Sequence, residues 1–394
     1  MPYYRSVGDV PAKRHTFARS EAGDGGRLAE ELMGEEGFSA SSSLLYHRHS
    51  PSAIIGAEAM FVDRSPLSDN EPLTPMHLRA PQLRAGGDLV RGRRVLLGNR
   101  SVTVCWAVAD RTSDLYRNAA GDELVFVQSG VGVLESVFGR LPVRAGDYVV
   151  VPASTTHRWV VDGGGPLAAL VMEATGHVDV PARYLTATGQ LKEGAPFCER
   201  DLRAPTEPLV VDVDRAARGV PVLVRHRRGW SRHCHATHPF DVVGWDGCLY
   251  PYAFSIKDFE PIVGRVHQPP PVHQTFAGPG FVVCSFVPRL FDFGPDAVKV
   301  PYHHANVDSD EVLFYSSGDF MSRKGAGIAA GSLTLHPAGF VHGPQPGSVE
   351  ASMDEDRTDE TAVMLDTFEP LQVSEDARSV ADPDYAWTWA GGRR

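Results

Sequence analysis

Two pairs of matching segments repeat within this chain, and the repeat limits the fold more than any other feature of the sequence. Residues 116–130 read YRNAAGDELVFVQSG and residues 304–318 read HANVDSDEVLFYSSG, so Asn, Asp-Glu and a final Gly align without gaps. Residues 146–157 (GDYVVVPASTTH) and residues 331–342 (GSLTLHPAGFVH) share the spacing of Gly, Pro and His. A duplicated strand–turn–strand unit predicts two similar β domains.

Composition favours short strands elsewhere in the chain too. Runs of β-branched residues such as YVVVP and FVVCSF end at turn residues, and the 394 residues include 39 Gly and 30 Pro. One helix is predicted in residues 26–37 (GRLAEELMGEEG), because Leu28, Leu32 and Met33 recur at roughly helical spacing before a glycine. The five cysteines are widely spaced without a CxxC pair, which predicts free thiols.

Charge and hydropathy exclude several classes of partner. The formal net charge is -11, and no basic stripe is interleaved with aromatic residues, which argues against nucleic-acid binding. No apolar run approaches the roughly 20 residues that span a membrane. The first residues, MPYYRSVGDVPAKRHTF, lack the apolar core of a signal peptide. We therefore expect a cytoplasmic protein that binds no membrane.

The two segments of each copy resemble the two cupin motifs, G-x5-H-x-H-x(3,4)-E-x6-G and G-x5-P-x-G-x2-H. In the second copy Asn306 stands where the second histidine is usual. The positions of that copy that match the two motifs are His304, Glu311, Gly318, Gly331, Pro337, Gly339 and His342. The resemblance implies a mostly β fold of two cupin (jelly-roll) barrels with few short helices, in which the C-terminal barrel binds the metal.

The metal site can also be argued from side-chain geometry. His304 and Asn306 share one face of a strand, and a turn before Glu311 can bring its carboxylate to the same face. His342, on a later strand, points into the same barrel. Two imidazoles and one carboxylate leave open positions and suit Fe(II), although the same set accepts Mn(II).

The first copy is expected to hold no metal. Tyr116 stands at the position of His304, and Asn118 is a weak ligand. Glu123 and His157 remain, but two ligands make a poor site. We expect those two side chains to be hydrogen-bonded within the barrel.

Three segments resemble the homogentisate 1,2-dioxygenase family. Residues 240–259 (FDVVGWDGCLYPYAFSIKDF), 301–306 (PYHHAN) and 332–344 (SLTLHPAGFVHGP) occur in the order of that family's V-V-x-W-x-G-N-Y-x-P-Y, P-Y-Y-H-R-N and S-L-H…P-H-G-P segments. The resemblance covers roughly residues 100–370. It implies a homo-oligomeric, non-haem Fe(II) enzyme that opens the ring of a small dihydroxylated aromatic acid, with O2 as co-substrate.

Residue by residue, the resemblance gives the metal ligands as His304, Glu311 and His342. It places His336, the histidine of the S-L-H segment, close to the substrate, where it would act as a base. Asp246 stands where the family has its proton-accepting histidine, and it is either a substitute base or a turn residue.

The residues expected to contact the substrate match the family less well than the metal ligands do. Phe320 replaces a substrate-contacting tyrosine, and Tyr302, Asn306 and Arg323 are the other expected substrate contacts. The spacing from the first histidine to the glutamate is one residue longer than in the family, which leaves Asp310 as an alternative ligand. The repeat favours Glu311, because Glu123 holds that place in the first copy.

The predicted domains are residues 1–95 (strands and a short helix packed on the first barrel), 96–180 (first barrel with a degenerate metal site), 181–239 (connection), 240–372 (catalytic barrel) and 373–394 (tail). The favoured function is ring cleavage of the extradiol type. Two alternatives stay open: a dioxygenase of another hydroxylated or aminated aromatic in a specialised pathway, and a metal-binding cupin without oxygenase activity.

Overall fold

A computed structural model describes residues 3–19, 25–62, 64–84, 86–161, 163–211, 219–323 and 326–391. The strands are β1 (Arg5–Gly8), β2 (Ala29–Gly34), β3 (Ser42–His47), β4 (Ile54–Met60), β5 (Leu67–Ser68), β6 (Met76–Arg79), β7 (Arg94–Gly98), β8 (Val102–Ala109), β9 (Tyr116–Asn118), β10 (Glu123–Ser129), β11 (Val131–Ser136), β12 (Gly139–Arg144), β13 (Asp147–Val151), β14 (His157–Val160), β15 (Leu167–Ala174), β16 (Leu202–Arg203), β17 (Val220–His226), β18 (Gly229–His235), β19 (Val242–Gly247), β20 (Tyr252–Ser255), β21 (Gln274–Gly278), β22 (Phe281–Phe286), β23 (Arg289–Leu290), β24 (Asp310–Ser317), β25 (Ser332–His336), β26 (Arg357–Thr358), β27 (Thr361–Thr367) and β28 (Gln372–Ser374).

The helices are few and short, so the predicted mostly β class is confirmed. The α-helices are α1 (Ser348–Ser352) and α2 (Glu375–Ser379). Single 3-10 turns lie at Glu36–Phe38, Ala80–Gln82, Ala182–Tyr184, Glu199–Asp201, Ile256–Asp258, Pro270–His273 and Met321–Arg323, and a longer one at Tyr385–Ala390. Within the described residues, no helix is long and apolar enough to cross a membrane. All five cysteines are free, as predicted, but only Cys105 and Cys284 are the buried thiols that were expected; Cys198 is exposed.

The two copies of the repeat form equivalent sheets. In the first, β10 lies between β13 and β15, and in the second, β24 lies between β25 and β27, all antiparallel. The copies meet through one apolar core, in which Phe126 of β10 packs at 6.0 Å from Phe314 of β24. These two phenylalanines align in the sequence repeat, so the copies face each other through equivalent strands.

The helix predicted in residues 26–37 is wrong. Residues Ala29–Gly34 form strand β2, which pairs along its length with β3. The helical pattern gave Leu28 and Leu32 one shared face, yet Leu28 is buried and Leu32 is 49% exposed. The well-buried strand β3 supplies a complete row of backbone partners, and Glu31 reaches His47 at 2.9 Å, so tertiary pairing decides the local structure.

Strand pairing crosses the domain boundaries expected from sequence. Strand β19 pairs with β1 and β3, and β20 pairs with β13 of the first copy, although both lie after residue 240. Conversely, β6 joins β25 in the six-stranded sheet of the second copy, and β28 of the tail pairs with β7. The boundaries stay a prediction, and the structure shows that the two halves exchange strands.

Candidate metal centre

Asp310 and Glu311 begin strand β24 and have different structural roles. Both oxygens of Asp310 accept backbone hydrogen bonds, Oδ1 from Ala338 N at 2.8 Å and Oδ2 from Leu371 N at 2.7 Å. Glu311 is buried with its carboxylate turned to three histidines. This geometry favours Glu311 over Asp310 as the ligand, in agreement with the choice that the repeat indicated.

His304 and His342 are held next to each other by a two-residue bridge. Their backbones exchange hydrogen bonds of 2.8 Å in both directions, and the ring centroids lie 4.4 Å apart. The segment around His304 is therefore an isolated bridge, whereas a strand was predicted. Each Nδ1 lies 3.0 Å from a backbone carbonyl, that of Tyr302 or Phe340, so each ring donates from Nδ1 and presents a lone pair at Nε2.

Both free imidazole lone pairs point at the Glu311 carboxylate. Nε2 of His304 lies 3.5 Å from Oε2, and Nε2 of His342 lies 3.2 Å from Oε1. The buried Nε2 of His342 has no hydrogen-bond partner. Lone pairs that face a carboxylate at this distance repel unless a cation or a proton lies between them. The three side chains fit a divalent metal with two imidazoles and one carboxylate as ligands.

The equivalent place in the first copy contains an arginine. Arg93 Nη1 and Nη2 donate to the two oxygens of Glu123 at 2.8 and 2.7 Å, and Nη1 also donates to Glu173 at 2.7 Å. Tyr116 and Asn118 donate to Glu123 as well, at 2.8 and 3.0 Å. Burial alone would raise the pKa of Glu123, but the guanidinium outweighs it and holds that pKa below its ordinary value.

Comparison of the two copies indicates that the second one lacks a positive charge beside its carboxylates. Glu123 faces Glu173 across strands β10 and β15, and Glu311 faces Asp366 across β24 and β27. The first pair is neutralised by buried arginines. In the described chain no arginine or lysine forms an ion pair with Glu311 or Asp366, and burial together with the charge of Glu311 raises the pKa of Asp366 to about 7. A metal ion would supply the missing positive charge.

His336 lies behind the ligands rather than in contact with the cavity. Its Nδ1 is 2.9 Å from Glu311 Oε1, and its Nε2 is 3.0 Å from the hydroxyl of Tyr385. The ring is fully buried and stacks on His342 at 4.1 Å, and burial lowers its pKa to about 3. Both nitrogens are therefore engaged, which corrects the expectation that His336 lies free beside the substrate as a base.

A cavity of about 370 Å³ opens onto the ligand face. Of the residues expected to contact the substrate, Tyr302, Asn306 and Arg323 lie in its wall. Tyr302 is 56% exposed and its ring packs against that of His304, and Asn306 donates to Asp366 at 3.2 Å. Arg323 is buried; its Nε donates to the Tyr315 hydroxyl at 3.1 Å, and its guanidinium also binds the Gly343 carbonyl.

Phe320 does not line this cavity. It is 5% exposed and packs edge-to-face on Tyr315 within a small apolar cluster behind β24. The expectation that it contacts the substrate is corrected, because the turn after Gly318 directs the ring into the core.

Asp246 is also remote from the metal ligands. It lies on β19, in the sheet that also contains β1 and β3, and its carboxylate accepts hydrogen bonds from Tyr4 and, at 3.2 Å, from Arg14. The predicted base is therefore a buried ion-pair residue that ties the N-terminal segment to the sheet. Alignment with the family motif locates Asp246 in the sequence, but it does not show which sheet the residue belongs to.

Three cavity residues were missed or left aside in the sequence. His267, from a proline-rich loop, packs its ring at 5.1 Å from Tyr302, and Arg289 and Asp366 complete this part of the wall. The loop histidine carried a weak signal in the sequence, as a residue at the mouth of a site. Asp366 had one too, since it lies near the end of an apolar strand as Glu173 does in the first copy.

Comparison with known proteins gives two family matches. The family described as "Homogentisate 1,2-dioxygenase C-terminal" matches residues 253–394, and "Cupin domain" matches residues 104–173. The latter confirms the cupin fold. A solved cupin 2 conserved barrel domain protein from Leptotrichia buccalis is weakly similar, with 8% identity and a TM-score of 0.34 over 78% of this chain and 100% of that one.

Relatives of similar and of greater length are found. A protein of Saccharolobus solfataricus with the name "Putative dioxygenase SSO1533" is 39% identical over 99% of both chains. Homogentisate 1,2-dioxygenases of Emericella nidulans and Caenorhabditis elegans are 25% and 27% identical over 68% and 69% of this chain. The aligned part spans only 62% and 60% of those two enzymes. This chain belongs to the homogentisate 1,2-dioxygenase family, as a divergent member.

Proposed function

We propose that the chain is an Fe(II)-dependent dioxygenase that cleaves the ring of a hydroxylated aromatic acid. The observation that carries the proposal is the convergence of His304, Glu311 and His342 on one point, beside a cavity of about 370 Å³ that His304 and Glu311 line. The names of the relatives support the reaction class. Mn(II) remains the other metal that this ligand set accepts.

Iron held by these residues would supply open coordination positions for O2 and a phenolic oxygen, and would lower the pKa of that phenol. The chain itself orients the ligands: the carbonyls of Tyr302 and Phe340 fix the ligand tautomers, and His336 holds Glu311. A buried histidine that is hydrogen-bonded on both sides is suited to that positioning role.

We assign the proton-accepting role to His267. Its ring lies in the cavity wall against Tyr302, and its Nδ1 is 3.6 Å from the Asp292 carboxylate, which orients it. Imidazole is the side chain that most often accepts a proton in catalysis near neutral pH, and it is a more effective base there than a carboxylate. This assignment replaces both Asp246 and His336.

A second residue of the cavity wall, Arg289, supports an acidic substrate. Arg289 lies in the cavity wall, where its Nη1 donates to the Val287 carbonyl at 3.1 Å. Among the described residues it forms no ion pair with a carboxylate, although Glu360 and Asp292 lie within electrostatic range. A half-buried guanidinium with free donors is a binding group for a carboxylate of the substrate.

The second candidate is a dioxygenase of a different hydroxylated or aminated aromatic. Phe320 and Asp246, at positions where the family resemblance expects substrate and base contacts, lie away from the cavity. Glu360 lines the cavity, burial raises its pKa, and it could accept a hydrogen bond from an amine. The homo-oligomer and the cytoplasmic location stay predictions.

The test is O2 consumption by protein purified without oxygen and loaded with Fe(II). We expect His304→Ala to lose both iron and O2 uptake with the preferred aromatic acid. Turnover of homogentisate at ordinary enzyme rates would favour the first candidate over the second. A His304→Ala variant with unchanged O2 uptake would refute this metal centre. A protein that binds metal but takes up no O2 with any aromatic acid tested would refute both candidates and leave a metal-binding cupin without oxygenase activity.

A further inference from the structure

A second cluster of potential metal ligands lies in the first half of the molecule. Glu35 precedes the 3-10 turn after β2, Asp122 precedes β10, and His177 follows β15. One ligand atom from each lies within 4.8 Å of the others. None of these residues belongs to the cavity of the first metal centre.

The distances within the cluster fit a coordination polyhedron better than they fit hydrogen bonds. His177 Nδ1 is 3.4 Å from Glu35 Oε1 and 3.5 Å from Asp122 Oδ1, and this buried nitrogen has no hydrogen-bond partner. Charge-assisted hydrogen bonds between such groups measure about 2.7–2.9 Å. Ligands about 2.1 Å from a tetrahedral zinc are roughly 3.4 Å apart. The spacing also matches the 3.2 and 3.5 Å of the first centre.

A separate observation points to the same place. Tyr252 is 2% exposed, and its buried hydroxyl has no hydrogen-bond partner. It lines a cavity of about 30 Å³ together with Glu35, Asp122 and His177. That space holds about one ion or one water. Burial raises the pKa of Tyr252, so the neutral hydroxyl is a donor for a water or carboxylate oxygen bound to an ion.

The repeat shows which part of the cluster is structural. Asp122 braces its loop by accepting from Ala153 N at 2.7 Å and Val178 N at 2.8 Å. Asp310 braces the second copy through the equivalent amides. The residue before the second amide is Pro370 there and His177 here. Loop bracing therefore requires the aspartate alone, and Glu35 and His177 are additions.

We propose that Glu35, Asp122 and His177 form a second divalent-metal site of zinc-binding type, independent of the oxygenase centre. One nitrogen and two carboxylate oxygens are ligands that Zn²⁺ accepts, and Tyr252 lies where a water in the fourth position would be hydrogen-bonded. The ion would tie the N-terminal segment at Glu35 to the loop after β15. The alternative occupant is a proton, which would make His177 an imidazolium between two carboxylates.

The test uses the full chain with both ligand histidines of the first centre replaced, His304→Ala and His342→Ala. After removal of metal with a chelator, zinc chloride is titrated by calorimetry and thermal melting is followed with and without zinc. We expect one zinc equivalent per chain, and a higher melting temperature when it is bound. Adding His177→Ala or Glu35→Gln should weaken binding at least tenfold, whereas His49→Ala, a half-exposed histidine beside Asp241, should not.

The proposal is overturned if the double variant binds no zinc up to millimolar concentration. It is also overturned if adding His177→Ala leaves the zinc affinity of the double variant unchanged. Either result leaves the three side chains as a cluster that binds no metal. If the double variant does not fold, total metal in the otherwise native chain is the readout, and it should fall by one equivalent in His177→Ala. O2 uptake by that single variant should persist, so the two proposals can fail separately.

Discussion

Replacing Arg93 by methionine tests whether a buried guanidinium takes the place of a metal in the first barrel. Arg93 donates to Glu123 and Glu173 and, through Nε, to the Leu89 carbonyl at 2.7 Å. Its side chain is 1% exposed and the Glu123 carboxylate is fully buried. Methionine keeps most of the volume, so the change removes charge and hydrogen bonds without a large cavity.

The expected loss follows from the charges that remain. Glu173 keeps Arg64 at 2.6 Å and Arg225 at 3.1 Å, so Glu123 is the carboxylate left without a cation. Removing one partner of a buried ion pair costs about 3–5 kcal/mol of unfolding free energy. We expect Arg93→Met to lose about that amount at neutral pH, measured by urea unfolding monitored by circular dichroism.

The loss should depend on pH in a defined direction. In the native protein the pKa of Glu123 lies below its ordinary value of 4.5, so the stability that it contributes is present above pH 4.5 and lost as the pH falls through the lowered value. In Arg93→Met the buried carboxylate lacks its guanidinium, and its pKa should lie above 4.5. The difference between the proteins should therefore be largest at pH 7–8 and shrink towards pH 4.5.

Two variants control for other effects of the change. Arg94→Met removes a neighbouring, half-exposed arginine whose partner is Asp376, and should cost less than about 1 kcal/mol. Adding Glu123→Gln to Arg93→Met removes the unpaired charge and should restore part of the loss. The reasoning is refuted if Arg93→Met costs no more than Arg94→Met, or if its cost does not change with pH.

Two further predictions concern the candidate metal centre, and a third concerns Asp246, which lies away from it. Arg289→Gln should raise KM for an aromatic acid about 10- to 100-fold, since a charged hydrogen bond contributes about 1.5–3 kcal/mol. KM for an uncharged analogue of that acid should be unchanged. Equal effects on both substrates would show that Arg289 does not bind the carboxylate. Asp246→Asn should lower the melting temperature but keep kcat, because the residue pairs with Tyr4 and Arg14 away from the cavity; a large fall in kcat in folded protein would contradict this. Tyr385→Phe frees His336 Nε2 and should weaken iron binding up to about tenfold with little change in KM, measured by competition with a chelator; unchanged iron affinity would assign the hydroxyl to packing alone.

The candidate ligand set of the second barrel follows from the sequence because each copy of the repeat serves as a comparison for the other. Position-by-position alignment of the two copies selected Glu311 over Asp310, and the structure shows both copies using the aspartate as the same loop brace. The mostly β class followed in the same way from short strands bounded by Gly and Pro. Each of these inferences concerns residues close in sequence or related by the repeat.

The residues that line the substrate cavity could not be predicted, because they come from segments that are distant in sequence and are brought together only by the fold. The family resemblance offered Asp246 as a possible base, and only the pairing of β19 with β1 and β3 removes it from the cavity. Phe320 sits two residues after Gly318, and its direction into the core is decided by packing on Tyr315.

The residue pattern is enough to show two copies of one barrel motif, one of which carries two imidazoles and a carboxylate. Which positive charge each copy needs depends on contacts between segments that are distant in the chain. Arg93 is 30 residues before Glu123, outside the repeat, and no local pattern marks it as the counter-charge. Two facing carboxylates in a buried site require positive charge; one barrel takes it from an arginine of its own chain and the other presents open ligands for a metal.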